Sequence, residues 1–189
     1  MIKDLILKNR SYRRFDPSVA ITRETLEELV DLARLSPSAA NAQPLKFLLS
    51  NEVERNALIF MRLGWAGYLK EWGGPVEGER PVAYIVILGD KRLKQEFGVD
   101  PGIMAQSMLL GAVEQGLGGC ILGSVKRAEL AQDLGLAEHL QILYVIALGV
   151  PAETVVVEPL GAEGDIRYWR DEQGVHHVPK RGLEELIVD

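Results

Sequence analysis

Three arginines and a serine fall within five residues near the N-terminus, in the run Asn9-Arg10-Ser11-Tyr12-Arg13-Arg14-Phe15. A guanidinium group recognises phosphate or carboxylate through a planar pair of donors, and a serine hydroxyl adds a donor that phosphate oxygens accept. The chain as a whole carries a formal charge of −6. A basic knot that runs against the global charge favours one specific anion site over a general polyanion surface. The same residues could also form a solvated face, or meet the dipole at the end of a preceding helix.

A second stretch, Ser36-Pro37-Ser38-Ala39-Ala40-Asn41-Ala42-Gln43-Pro44, is small, polar and bracketed by prolines. Small residues let a ligand approach the backbone, and Asn41 and Gln43 each donate and accept. That chemistry can read the edge of a flat heterocycle, although the same residue types build ordinary turns. Prolines at both ends, each fixing its own φ, favour a rigid loop.

The acidic balance argues against nucleic acid or an anionic membrane as the main partner. A lone cysteine, Cys120, excludes an internal disulfide and a cysteine-cluster metal site. His176 and His177 are adjacent, so on a strand they point to opposite faces and do not readily grip one metal. The aspartate at position 4 and the absence of a long apolar core argue against a signal peptide, so the cytoplasm is the expected location. With 189 residues and 47% hydrophobic content, a single domain spanning 1–189 is expected.

The elements that must position these residues follow from periodicity. A short helix is expected over 2–7. Thr22 offers a cap for a helix over 23–35, in which Leu26, Leu29, Val30 and Ala33 share a face. Residues 47–49 read as a strand, and 52–62 as a helix with Ala57, Leu58 and Met61 on one side. Trp65, Tyr68, Leu69 and Trp72 have helical spacing, which favours a packed peripheral helix over a lid. Residues 81–88 form an apolar, β-branched run expected to be a strand buried on both faces. Asp100 is expected to cap a long helix over 101–115, apolar nearly all round and therefore deeply buried or at a subunit interface, with Gly116 ending it. Strands are expected at 120–122 and 140–148, the latter stopped by Gly149-Val150-Pro151, with a helix over 127–134 between them. A hairpin pairs 166–170 with 175–178, and a short helix covers 183–187. Helices and strands mix without strict βαβ alternation, so the fold class is α+β or a three-layer domain on a mixed sheet.

Four blocks in order resemble the nitroreductase family of flavoenzymes. They are Arg10 to Phe15, Ser36 to Pro44, Gly116 to Gly123, and Ala147 to Ala152, the last with Lys180-Arg181 near the C-terminus. The resemblance implies a central mixed or antiparallel sheet flanked by helices, in an intertwined homodimer that binds FMN between its subunits. It implies that Arg10 and Ser11 hold the phosphate, that Lys180 or Arg181 adds a second contact, and that Arg13 reaches the pyrimidine end of the ring. Pro37, Ser38, Ala39, Asn41 and Gln43 would arrive from the other subunit, and Leu122, Gly123 and Ser124 would lie along the reactive edge. The implied reaction takes a hydride from NADH or NADPH and passes it to a nitroaromatic, quinone or similar acceptor by a ping-pong scheme, with no protein nucleophile. Specialised members of the fold (reductive dehalogenation, flavin modification) and a flavin-binding protein without turnover are the alternatives. The chain departs from the family pattern at Asn9, where a second basic residue is common, at Leu45, where an aromatic is common, and at Gly182, where proline is common.

Overall fold

A computed structural model describes residues 1–188. Its central strand pair is β3 (Ala83–Asp90) against β5 (Leu140–Pro151). All eight residues of β3 are buried, as expected of a continuous apolar run. Side chains alternate across a strand, so Ile85 and Ile87 face one core while Tyr84, Val86 and Leu88 face another.

Three further strands complete the sheet: β1 (Phe15–Asp16), β2 (Leu45–Ser50) and β4 (Gly118–Leu122). The order is β1-β5-β3-β2, with β4 also paired to β5. Every ladder is antiparallel, and one parallel bridge joins Ser11 to Gly119. β5 does not stop at Gly149. It runs on to Pro151 because β1 pairs with it there, and Gly149 gives room to the Phe15 ring, which a Cβ would meet at 2.7 Å.

Helices cover both faces. α2 (Arg23–Arg34) and α4 (Asp100–Glu114) enclose the first core with Leu26, Leu29, Met104 and Met108. α3 (Val53–Phe60) and α5 (Arg127–Asp133) enclose the second with Ile59 and Leu130. Burying each such side chain contributes about 1.5–3 kcal/mol. α1 (Ile2–Lys8) lies against α4 and buries no residue of its own. The Thr22 hydroxyl accepts from the Thr25 N–H, the expected cap of α2. Gly116 has φ +77, and the Leu117 and Gly116 N–H groups return to the Ala112 and Val113 carbonyls, which closes α4.

Beyond β5, the strands β6 (Val155–Pro159), β7 (Trp169–Arg170) and β8 (His176–Lys180) form a second sheet in the order β6-β8-β7. The expected hairpin is β7–β8, turning at 171–174. The parallel pairing of β6 with β8 was not expected.

Four further expectations differ from the structure. Residues 64–75 are not a helix, because glycines interrupt them and Ala66 sits at φ 39; their aromatics pack separately, Trp65 on Phe60 and Tyr68 on Tyr168. α3 turns Ile59 inward and leaves Leu58 and Met61 exposed. Of the two settings expected for α4, deep burial within one chain is incomplete, because Gly102, Ile103 and Gln106 stay exposed. The segment after Arg181 makes a single 3-10 turn, Leu183–Glu185.

Candidate functional site

The N-terminal basic run reaches the sheet edge through two glycines. A Cβ at Gly118 would lie 2.6 Å from the Tyr12 ring, and one at Gly119 would lie 2.7 Å from the Ala147 carbonyl oxygen. With neither present, the Tyr12 N–H donates to the Gly119 carbonyl at 3.1 Å and Ser11 lies beside the strand. The second sheet closes from the other side. On β8 the alternation places His176, Val178 and Lys180 on one face and His177 on the other.

These two approaches enclose a cavity of about 250 Å³. Arg10, Ser11, Arg13 and Lys180 line it, together with Asn9 and Tyr168, and among the described residues no carboxylate does. Arg10 donates from Nη2 to the Ile6 carbonyl at 2.8 Å, while its buried Nε has no partner. Arg13 is 9% exposed. Its Nη1 donates to the Ser11 carbonyl at 3.1 Å and meets His176 Nε2 at 3.3 Å, and its guanidinium lies 5.0 Å from the Tyr168 ring centroid. Its Nε is also buried without a partner. Of the C-terminal pair, Lys180 enters the cavity. Arg181, one residue on, donates to Glu185 at 2.9 Å.

Three cations, a hydroxyl and two orphaned guanidinium N–H groups, with no acid among these lining residues, suit a multiply charged anion such as a phosphate monoester. From Gly119, beside Ser11, four residues of extended chain lead to Gly123, about 13 Å away. There Leu122 is buried, while Gly123 and Ser124 are exposed, and the Gly64 N–H donates to the Ser124 carbonyl at 2.8 Å.

The loop that carries Pro37, Ser38, Ala39, Asn41 and Gln43 is not in that cavity. It stands at the start of α4, largely exposed. Ala40, Asn41 and Gln43 have φ of 53, 54 and 47, a left-handed backbone that costs roughly 1–2 kcal/mol per residue outside glycine. Asp100 holds it. Asp100 does not cap α4, as the sequence had implied; its buried carboxylate accepts from the Ser38 hydroxyl at 2.6 Å and the Ala39 N–H at 3.0 Å. In a single chain, then, the basic cavity, the β4 edge and the strained loop are three separate pieces.

Several residues missed from the sequence support the cavity. Glu153 accepts from the Arg13 and Arg14 N–H groups and from Arg170 Nη2. His176 is buried, and burial first, then the Arg13 and Arg170 charges, push its pKa down to about 4. It is therefore neutral at neutral pH, and Nε2 can accept from Arg13. The Cys120 thiol lies behind Ser11 and Arg13, and burial pushes its pKa up, so it is no nucleophile at neutral pH.

His177 behaves in the opposite way. It is held between Asp171 at 3.2 Å and Glu158 at 3.0 Å and stacks on Trp169. Hydrogen bonds to Asp171, then Glu158, raise its pKa above the ordinary 6.5. The charged ring's contribution to the second sheet is thus complete below that ordinary value and disappears as pH rises through the raised one. Intrinsic-rate-corrected hydrogen exchange should show protection of β6 and β8 falling across that window, and His177→Gln should flatten the change.

The chain is similar to several known proteins in sequence and in fold. The NADPH-flavin oxidoreductase of Vibrio harveyi is 26% identical over 173 residues, covering 82% of this chain and 68% of the relative. A Cr(VI) reductase of Pseudomonas sp. (strain G-1) is 25% identical over 171 residues, covering 84% and 70%. The crystal structure of the Vibrio harveyi NADPH:FMN oxidoreductase complexed with NAD+ superposes with a TM-score of 0.67 at 27% identity, over 85% of this chain and 74% of that one. A nitroreductase family protein from Streptococcus pneumoniae TIGR4 shares the fold over 100% of both chains, with a TM-score of 0.73 at 15% identity. The nitroreductase family model itself matches residues 6–150, most of the sequence, and the chain belongs to the nitroreductase family of flavin-dependent oxidoreductases.

Proposed function

We propose that this protein is an FMN-dependent NAD(P)H oxidoreductase that works as a homodimer and reduces nitroaromatics, quinones or similar electron-poor acceptors by a ping-pong scheme. The observation that carries this reading is the acid-free cavity in which Arg10, Ser11, Arg13 and Lys180 meet. Arg10, Ser11 and Lys180 hold the phosphate there. Arg13 keeps Nε free of protein partners and presents positive charge toward the pyrimidine end of the ring, where charge favours the reduced form. The backbone of Leu122, Gly123 and Ser124 lines the reactive edge. The strained loop 37–43 completes the site from a second copy, which accounts for its exposure and its separation from the cavity within one chain. FMN, when bound, supplies the hydride chemistry, and the chain's own groups bind, orient and exclude water.

The test begins with the purified protein and its flavin absorbance. Anaerobic stopped-flow mixing with NADH and with NADPH should bleach that absorbance, and a nitroaromatic or quinone should restore it. A protein that takes up no FMN, or one whose flavin stays oxidised with both donors, refutes the reading. A further expectation concerns the arginine pair. Arg13→Ala should weaken FMN retention more than Arg14→Ala, because Arg14 lies outside the cavity, paired with Glu79 at 3.1 Å. Equal dissociation constants for the two variants would count against the assigned register.

A further inference from the structure

A second opening lies where α3 crosses the start of β3, and it shares no residue with the basic cavity. Its volume is about 390 Å³, within the roughly 300–1,000 Å³ of small-ligand sites. One wall is a single stripe of α3: Val53, Asn56, Ala57 and Phe60, at helical spacing. α3 buries only Ile59; in this stripe Val53 and Ala57 are exposed, while Asn56 and Phe60 are half-buried. Ile21 and Val82 close the apolar part.

This opening holds one buried hydroxyl without a partner among the described residues and one exposed guanidinium. Tyr84 lines the cavity and is 1% exposed, yet its buried hydroxyl makes no hydrogen bond. Buried polar groups are normally satisfied, so an orphan of this kind marks a site where something else supplies the bond. Arg80 lies over the Phe60 ring at 4.3 Å from its centroid and pairs with no carboxylate. Tyr84 and Arg80 line the same cavity; burial raises the Tyr84 pKa and the Arg80 charge lowers it in part. Glu77 also lines the mouth. A single arginine beside one acid suits a monoanion better than a dianion such as phosphate.

We propose that this cavity binds a small carboxylate with an apolar, ring-sized body, its anion on Arg80 and an acceptor atom at its other end on the Tyr84 hydroxyl. The walls supply the apolar contact, and the arginine fork supplies paired donors to the carboxylate oxygens. This inference does not depend on the flavin reading, because none of its residues belongs to the cofactor cleft.

Calorimetric titration of the protein as purified with 4-hydroxybenzoate, and with neutral 4-hydroxybenzamide as the control, tests it. The carboxylate should bind about tenfold tighter than the amide, the value of a charge-assisted pair. Arg80→Gln should abolish that difference. Glu77→Gln should tighten the carboxylate about twofold by removing a nearby like charge. Ala57→Phe should block both ligands by filling the opening, and Tyr84→Phe should weaken the carboxylate about fivefold, the loss of one buried hydrogen bond. Thermal melts of each variant establish that it folds. Equal affinity for carboxylate and amide, the same affinity in Arg80→Gln and Ala57→Phe as in the parent, or no binding of either probe at millimolar concentration would each overturn the proposal.

Discussion

Replacing Glu153 with alanine is expected to destabilise the protein by about 3–5 kcal/mol and to loosen the second sheet from the basic run. The Glu153 side chain is 1% exposed and the Arg170 side chain 12%, with 2.9 Å between them. One carboxylate oxygen also accepts from the Arg13 and Arg14 N–H groups. Truncation leaves a guanidinium and two backbone donors without their acceptor in a place water barely reaches. A pair exposed at the surface would cost no more than about 1 kcal/mol, so the magnitude separates the two situations. Arg170 also stacks over Trp72 at 4.7 Å, which ties the otherwise irregular segment 64–75 to the same junction. Urea unfolding of Glu153→Ala should show the loss, and hydrogen exchange should show it concentrated in β6, β7 and β8. Replacing Glu153 and Arg170 together by leucine should recover part of it, because no buried charge then stands alone. A single-variant loss near 1 kcal/mol would mean that the junction contributes little.

How far the sequence reached depended on how local each signal was. The Thr22 cap, the Leu26–Leu29–Ala33 face and the Gly116 terminus are set by residues within one or two helical turns, and each was legible. The all-apolar run at β3 was legible because only burial on both faces explains it. β6 was not, although Val155 to Val157 are β-branched, because its partner β8 lies some twenty residues ahead and pairs with it in parallel. Residues 64–75 carry aromatics at helical spacing, but the glycines that interrupt them break the helix. Asp100 was read as a cap by its position before Pro101. Its bonds to Ser38 and Ala39 span some sixty residues and no local pattern encodes them. The choice between Lys180 and Arg181 turned on the phase of β8, which only the buried His176 fixes. The cavity was legible as a set of residue types, whereas its supports, Glu153, His176 and Tyr168, belong to contacts made across most of the chain.

Arg10→Ala should weaken FMN binding roughly 10- to 150-fold, the range that a charge-assisted hydrogen bond of about 1.5–3 kcal/mol implies, while leaving riboflavin affinity unchanged. Arg10 is already held by the Ile6 carbonyl, so its guanidinium enters the cavity with little further loss of freedom on binding. Its free Nε is the donor a phosphate oxygen would take. Lys180→Ala should act in the same direction by a smaller factor, since an exposed ammonium on a flexible stem is more strongly hydrated. Arg181→Ala should change little, because that side chain is engaged with Glu185. Quenching of flavin fluorescence on titration into the cofactor-free protein measures all three, with FMN and riboflavin run side by side. The comparison isolates the phosphate: a variant that damages the fold weakens both flavins, whereas loss of the anion contact brings FMN toward the riboflavin value and flattens the salt dependence. If Arg10→Ala weakens the two flavins equally, or weakens neither, the acid-free cavity does not hold the phosphate and the assignment of the basic run to the cofactor fails.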